Sequence, residues 1–310
     1  MCFFFAPQNY DKICETLEKT KVPGKVFPFG IMDFLTFCKK NGQDLFPDIQ
    51  NIRLLAQNLE RANIIQKISS APMNETYYCS IEMTNRQRKG DLWLGPALGL
   101  PFIAHSIKEN IVFITGYTEK NDISVGTGVL VSEKIILTCA HVINDIKIDD
   151  YVEIGGNKLE IDKAITHKTV DIGIIILKNN VESKNKDLAF RESTMLESIV
   201  TMGYPPVPRA TSPCIITQTG EICGHVLETM EHHPIDLFSS IARPGNSGGP
   251  VIGIDGCILG IVARSLERKK EEADAMAPIP FFSSIPSVVI KKCVSEITSN
   301  SMEIPWENYR

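Results

Sequence analysis

The 310-residue sequence holds nine cysteines but no Cys-x-x-Cys pair. That removes the spacing that zinc ribbons and thioredoxin-like redox centres require. The odd number, scattered over Cys2, Cys14, Cys38, Cys79, Cys139, Cys214, Cys223, Cys257 and Cys293, reads as reduced and mostly buried thiols. A reducing, cytoplasmic compartment is the expectation. No apolar run reaches the ~20 residues of a membrane-spanning helix. Met1-Cys2-Phe3-Phe4-Phe5-Ala6-Pro7 is apolar, but it lacks a basic flank and is too short for a signal peptide. The excess of one sign of charge is also small: a net charge of −5 gives no general attraction to nucleic acid or to an anionic membrane. Residues 1–90 carry 12 Lys+Arg against 9 Asp+Glu, less than a DNA-binding face concentrates. What remains is an ordinary globular composition, 43% hydrophobic and 22% charged. The length suffices for one large β domain and a smaller unit.

The most informative stretch is Arg243-Pro244-Gly245-Asn246-Ser247-Gly248-Gly249-Pro250. Its glycines reach φ > 0 at little cost and its prolines fix φ, so it reads as a tight, unusual turn with one hydroxyl at its centre. Such a bend also aims successive N–H groups, here those of Gly245, Asn246 and Ser247, at a common point where an oxyanion can sit. A serine needs a base, and the base needs an orienting group. Leu137-Thr138-Cys139-Ala140-His141-Val142 closes an apolar strand, and Val170-Asp171-Ile172-Gly173 sets a carboxylate ahead of another. The order is His141, Asp171, Ser247.

With Gly126-Thr127-Gly128-Val129-Leu130-Val131 upstream, these pieces resemble the trypsin-like (chymotrypsin-fold) serine peptidases, most of all the intracellular and high-temperature-requirement branch. The resemblance implies a mainly β fold of two six-stranded antiparallel barrels with the site in the crevice between them. It implies His141, Asp171 and Ser247 as the catalytic residues and the N–H groups of Gly245 and Ser247 as the oxyanion hole. Ile241 at the base and Val262, Ala263 and Arg264 along the edge are the expected specificity pocket. It has no acidic residue to receive Lys or Arg, so hydrophobic or small side chains are favoured. No metal or cofactor is implied; the implied partner is a polypeptide substrate. Asn246 stands where zymogen-activated members carry an aspartate, which argues against activation by a cut N-terminus.

Taken in order, residues 1–85 read as helical: Tyr10–Thr20, Gly30–Lys40 with Ile31, Phe34, Leu35 and Cys38 on one face, and a helix after Pro47-Asp48, then a small hairpin. This suits a winged-helix-like docking or regulatory module for a protein partner. Residues 86–108 read as a linker packing on the barrels, and residues 109–310 as the peptidase domain. In that domain, barrel one runs over about 109–180 and barrel two over about 195–282, including strands at Cys214–Gln218 and Glu221–Leu227. A helix over 284–297 closes the chain, and no PDZ-sized segment follows it. The charged run Glu267–Glu272 reads as a loop beside the pocket. His105, His167, His225, His232 and His233 lack the context of His141 and read as core or surface residues, the pair His232-His233 as a weak metal or pH-sensing signal. The leading reading is a serine endopeptidase gated by a partner or substrate. A regulated scaffold with a peptidase fold and a self-processing DNA-binding regulator stand as alternatives.

Overall fold

The computed structural model describes residues 1–70, 76–80, 84, 86, 87, 89–182, 188–229, 232–263 and 281–307. The chain divides into two compact units, Met1–Arg88 with Pro96–Leu98, and Lys89–Gly95 with Gly99–Arg310. The first holds α1 (Tyr10–Leu17), β1 (Phe29–Gly30), α2 (Ile31–Lys40), α3 (Ile49–Arg61), β2 (Ile65–Ser70) and β3 (Thr76–Ser80). Its antiparallel sheet has the order β1-β3-β2. α2 forms because its apolar residues recur at helical spacing: Ile31, Phe34, Leu35 and Cys38 are the four it buries. Asp33 reaches back to accept the Gly30 N–H at 3.2 Å, and Lys39 and Lys40 complement the negative end of the helix. The core is aromatic. The Phe4 ring meets Phe5, Phe29, Phe34 and Phe37 at centroid distances between 5.1 and 5.4 Å.

The second unit owes its shape to alternation. After the single turn α4 (Gly95–Leu98) comes α5 (Leu100–Ile107), whose Ile103 and Ile107 are fully buried in the barrel core together with Leu92. The segment expected as a linker therefore contributes core residues from Leu92 onward. The strands and helices that follow are β4 (Ile111–Tyr117), β5 (Ile123–Leu130), β6 (Ile135–Thr138), α6 (Ala140–Asn144), β7 (Lys147–Ile148), β8 (Tyr151–Ile154), β9 (Asn157–Thr166) and β10 (Gly173–Leu177). β4, β5, β6, β10, β9 and β8 pair in a ring that closes on β4, with the two-residue β7 added at its edge. Closure removes the free edges an open sheet would expose.

The second barrel is β11 (Ser198–Gly203), β12 (Ile216–Val226), β13 (Ile235–Phe238), β14 (Pro250–Gly253), β15 (Ile258–Val262) and β16 (Phe282–Pro286), closed in the order β11-β12-β13-β16-β15-β14. α7 (Ser287–Ile297) follows. Two expectations change here. The two strands expected around Gly220 are the single β12, because that glycine marks a close approach: a Cβ there would lie 2.6 Å from the Ser240 backbone nitrogen. The sixth strand is β16, and its last residues, expected in the closing helix, are strand; Pro286 ends the strand and stands at the N-cap of the helix. At the entrance to this barrel Arg191 binds Glu197 and Asp255, each at 2.7 Å, all three largely buried. Burial alone would lower the guanidinium pKa, but the two carboxylates more than reverse it and raise it.

None of the nine cysteines is bridged to another. Cys14, Cys38, Cys139, Cys257 and Cys293 are buried, while Cys214 and Cys223 are exposed. Burial pushes the Cys293 thiol up to about 11. Among the described residues no helix is long and apolar enough to cross a membrane.

Candidate active site

His141 sits in α6, directly after β6 turns the corner at Cys139, and Asp171 lies in the loop between β9 and β10. The two hairpins are neighbours, β10 pairing with β6 in register from Thr138↔Gly173, so residues 30 positions apart meet. Asp171 grips His141 twice. Oδ1 accepts the His141 backbone N–H at 2.8 Å and Oδ2 accepts Nδ1–H at 2.7 Å. One oxygen thus fixes the main chain and the other the ring, leaving Nε2 of the neutral imidazole with its lone pair free. Both side chains are about one-fifth exposed, 18% and 23%.

The Cys139 thiol lies beside them, the ligand atoms of Cys139, His141 and Asp171 falling within 4.8 Å of one another. The 2.7 Å between His141 and Asp171 is a hydrogen bond, shorter than the roughly 3.3 Å between adjacent ligands of a tetrahedral zinc. The thiol itself donates to the Val262 carbonyl at 3.2 Å.

The serine turn comes from the second barrel. Asn246 N–H donates to Arg243 O at 2.9 Å and Gly245 has φ +96°, the signature of a type II turn with Pro at its second and Gly at its third position. Gly248, at φ +82°, has no room for a side chain: a Cβ would lie 2.2 Å from Thr127 O and 2.3 Å from Thr138 Oγ1. The N–H groups of Asn246, Gly248 and Gly249 are spent on Arg243, Val262 and Asn246 carbonyls. That corrects the expectation of three convergent donors. Asn246 N–H turns inward, while those of Gly245 and Ser247 have no acceptor among the described hydrogen bonds. Asn246 is 3% exposed, and its side-chain oxygen has no partner among the described residues.

A residue outside the expected site holds this turn. Thr127 on β5 donates its hydroxyl to Gly245 O at 2.6 Å and accepts Tyr204 N–H at 2.9 Å. Its own N–H donates to Ser247 O at 2.9 Å, and its carbonyl accepts the Thr138 hydroxyl at 2.6 Å. The Gly-Thr-Gly triplet was the available signal, since a threonine between two glycines in a strand marks close backbone approach. Thr127→Val keeps the shape but leaves Tyr204 N–H and Gly245 C=O unpaired in a buried site. A loss of about 2–4 kcal/mol of stability is expected from two such groups, read as a shift of the urea unfolding midpoint, together with a fall in kcat.

His141 and Ser247 line one cleft of about 550 Å³, with Gly245, Ala263, Phe282 and Val125 among its other walls. Of the residues expected for a specificity pocket, Ala263 lines this cleft. Val262 is 1% exposed and bonds Gly248 and Gly249 through its own backbone. Ile241 is 48% exposed and lies outside the cleft lining, while Arg264 and the charged run Glu267–Glu272 fall outside the described residues. Three of the five remaining histidines are occupied elsewhere: His225 pairs with the buried Asp236 at 2.7 Å, His233 Nδ1 faces the Pro234 carbonyl at 3.0 Å, and His167 pairs with Glu296 at 2.8 Å. His105 and His232 are exposed.

Residues 126–261 match the trypsin-like peptidase domain family. That segment is similar to a trypsin-like peptidase domain. Over 148 residues, 44% of this chain, the sequence is 31% identical to the serine protease HTRA4 of Mus musculus, and over 145 residues 31% identical to the serine protease HTR4 of Rattus norvegicus. The chain spans 29% of the length of each of these relatives. The chain is similar in fold to the active form of the Rv3671c protease of M. tuberculosis, at TM-score 0.50 and 16% identity, over 79% of this chain and 93% of that one.

Proposed function

We propose that the chain is a serine endopeptidase in which Ser247 attacks a peptide carbonyl, His141 takes its proton and returns it to the leaving amine, and Asp171 holds the imidazole. The observation that carries this reading is the pair of hydrogen bonds that Asp171 accepts from His141, beside a cleft that His141 and Ser247 both line. The N–H groups of Gly245 and Ser247 bind the oxyanion, each donor contributing about 3–4 kcal/mol to the transition state by comparison with a related system. Reaction with a fluorophosphonate probe tests the proposal: the parent labels at Ser247, and failure to label would remove it. Ala263 and Phe282 stand on the walls of a cleft that Asp145 and Arg243 also line; with no acid expected at the base of the pocket, cleavage after hydrophobic or small residues is expected. Profiling on a peptide library checks this, and a strict need for Lys or Arg at that position would contradict it.

The unbridged thiols support work in a reducing, cytoplasmic compartment. Residues 1–85 act, in this reading, as a winged-helix-like docking module through which a protein partner gates cleavage. Three helices and a small antiparallel sheet support it, and the modest charge of residues 1–90 disfavours a nucleic-acid partner. A fragment beginning at Lys89, which retains the core residue Leu92, is expected to differ from the full chain in basal cleavage or in its response to partner. Identical rates under every condition would end the gating idea.

A further inference from the structure

Asp171 depends on a loop that one side chain closes. β9 and β10 are in register at Thr166↔Gly173, so residues 167–172 form the connection. His167 N–H donates to Ile172 O at 2.8 Å, and Ile172 N–H returns to Val170 O at 2.7 Å. The second bond spans three residues and makes Asp171 the centre of a γ-turn. The start of that turn is held by the His167 ring: Nδ1 accepts Val170 N–H at 3.0 Å and Thr169 N–H at 3.3 Å. Nε2–H donates to Glu296 on α7 at 2.8 Å. The tautomer is thereby fixed, because a nitrogen accepting two N–H groups carries no proton of its own. The ring is well packed, its side chain 12% exposed, and the hydrogen bond from His167 holds the Glu296 carboxyl below its ordinary value.

We infer that His167 is a positioning residue for Asp171: its Nδ1 does for this loop what an Asn or Asp oxygen does in an Asx turn, accepting the N–H groups two and three residues on. It touches neither substrate nor reacting atoms. Its effect passes through the placement of the Asp171 carboxylate against His141, and so the inference rests on the peptidase reading. Shifting a catalytic group by about 1 Å costs up to roughly a hundredfold in rate.

Two substitutions separate the ring's two nitrogens. His167→Asn offers an oxygen near the Nδ1 position and gives up the bond to Glu296; His167→Gln keeps a donor near Nε2 and gives up the acceptor for the loop. We expect His167→Gln to lower kcat roughly ten- to hundredfold with KM little changed, and His167→Asn to stay close to the parent in both. Proton NMR of the His141 Nδ1–H gives a readout that needs no turnover: a sharp downfield resonance in the parent and in His167→Asn, broadened or lost in His167→Gln. Equal kcat in all three proteins, or equal losses in both variants, would overturn the assignment. Should the Gln variant not fold, His167→Asn decides alone, since a large loss of kcat and of the resonance there refutes the Asx-like role. A parent that neither cleaves nor labels with a fluorophosphonate refutes the peptidase reading instead, and the resonance alone then decides whether His167 holds the pair.

Discussion

Ser247→Ala is expected to lower turnover by roughly 10⁴–10⁶ while leaving the melting temperature near that of the parent. The two halves of this expectation have separate causes. In the proposed mechanism turnover falls because the hydroxyl that His141 activates is the nucleophile. Stability holds because the structural duties of residue 247 are carried by its backbone, whose carbonyl accepts Thr127 N–H at 2.9 Å and is unaltered by the substitution. The residue that follows, Gly248, sets the geometry of the turn and also remains. In the same proposal, what activity is left is owed to the N–H groups of Gly245 and Ser247, which the substitution does not remove. Steady-state cleavage of a peptide and fluorophosphonate labelling, with a thermal melt of each protein, make the test. A variant that cleaves like its parent would remove Ser247 from the mechanism.

Asp171→Asn is expected to cost about 10⁴ in kcat near neutral pH with little change in fold, and the reason lies in the two bonds the carboxylate makes. Its oxygens accept from the backbone N–H of His141 and from the ring at once. A carboxamide has only one oxygen. The backbone N–H is a donor that cannot reverse its role, so the oxygen stays with it and the NH₂ group faces Nδ1. Two donors then meet unless Nδ1 gives up its hydrogen, and the neutral ring moves that proton to Nε2. A protonated Nε2 cannot accept the proton of Ser247. The measurement is kcat at neutral pH beside a crystal or NMR determination of the His141 tautomer. Full activity with the proton on Nε2 would break the link between orientation and rate.

The parts of the molecule legible in the sequence were those whose chemistry is local. The Arg243–Pro250 run declares its turn through glycine and proline, and the strand rhythm after residue 110 declares the barrels. The helical face of Ile31, Phe34, Leu35 and Cys38 is buried as its spacing predicts. What was not legible depends on partners distant in the chain. Gly220 reads as a breaker until Ser240 is seen against it, and Asn246 N–H reads as a third oxyanion donor until Arg243 O is seen to take it. Thr127 shows only as one residue of a motif, because the carbonyl its hydroxyl serves is 118 positions away. His167 gave no signal because its role lies in accepting from the next turn of its own loop, which composition does not report.

Thr127 also carries a lesson about failure. A single alcohol on the first barrel ties down a carbonyl and an amide of the second, so the serine turn is held in this shape only while the two halves are seated together. Heat that begins to part them is expected to disarm the molecule before either half has unravelled, with peptide cleavage lost at a lower temperature than the far-ultraviolet signal. Neither half, produced on its own, is expected to cleave a peptide.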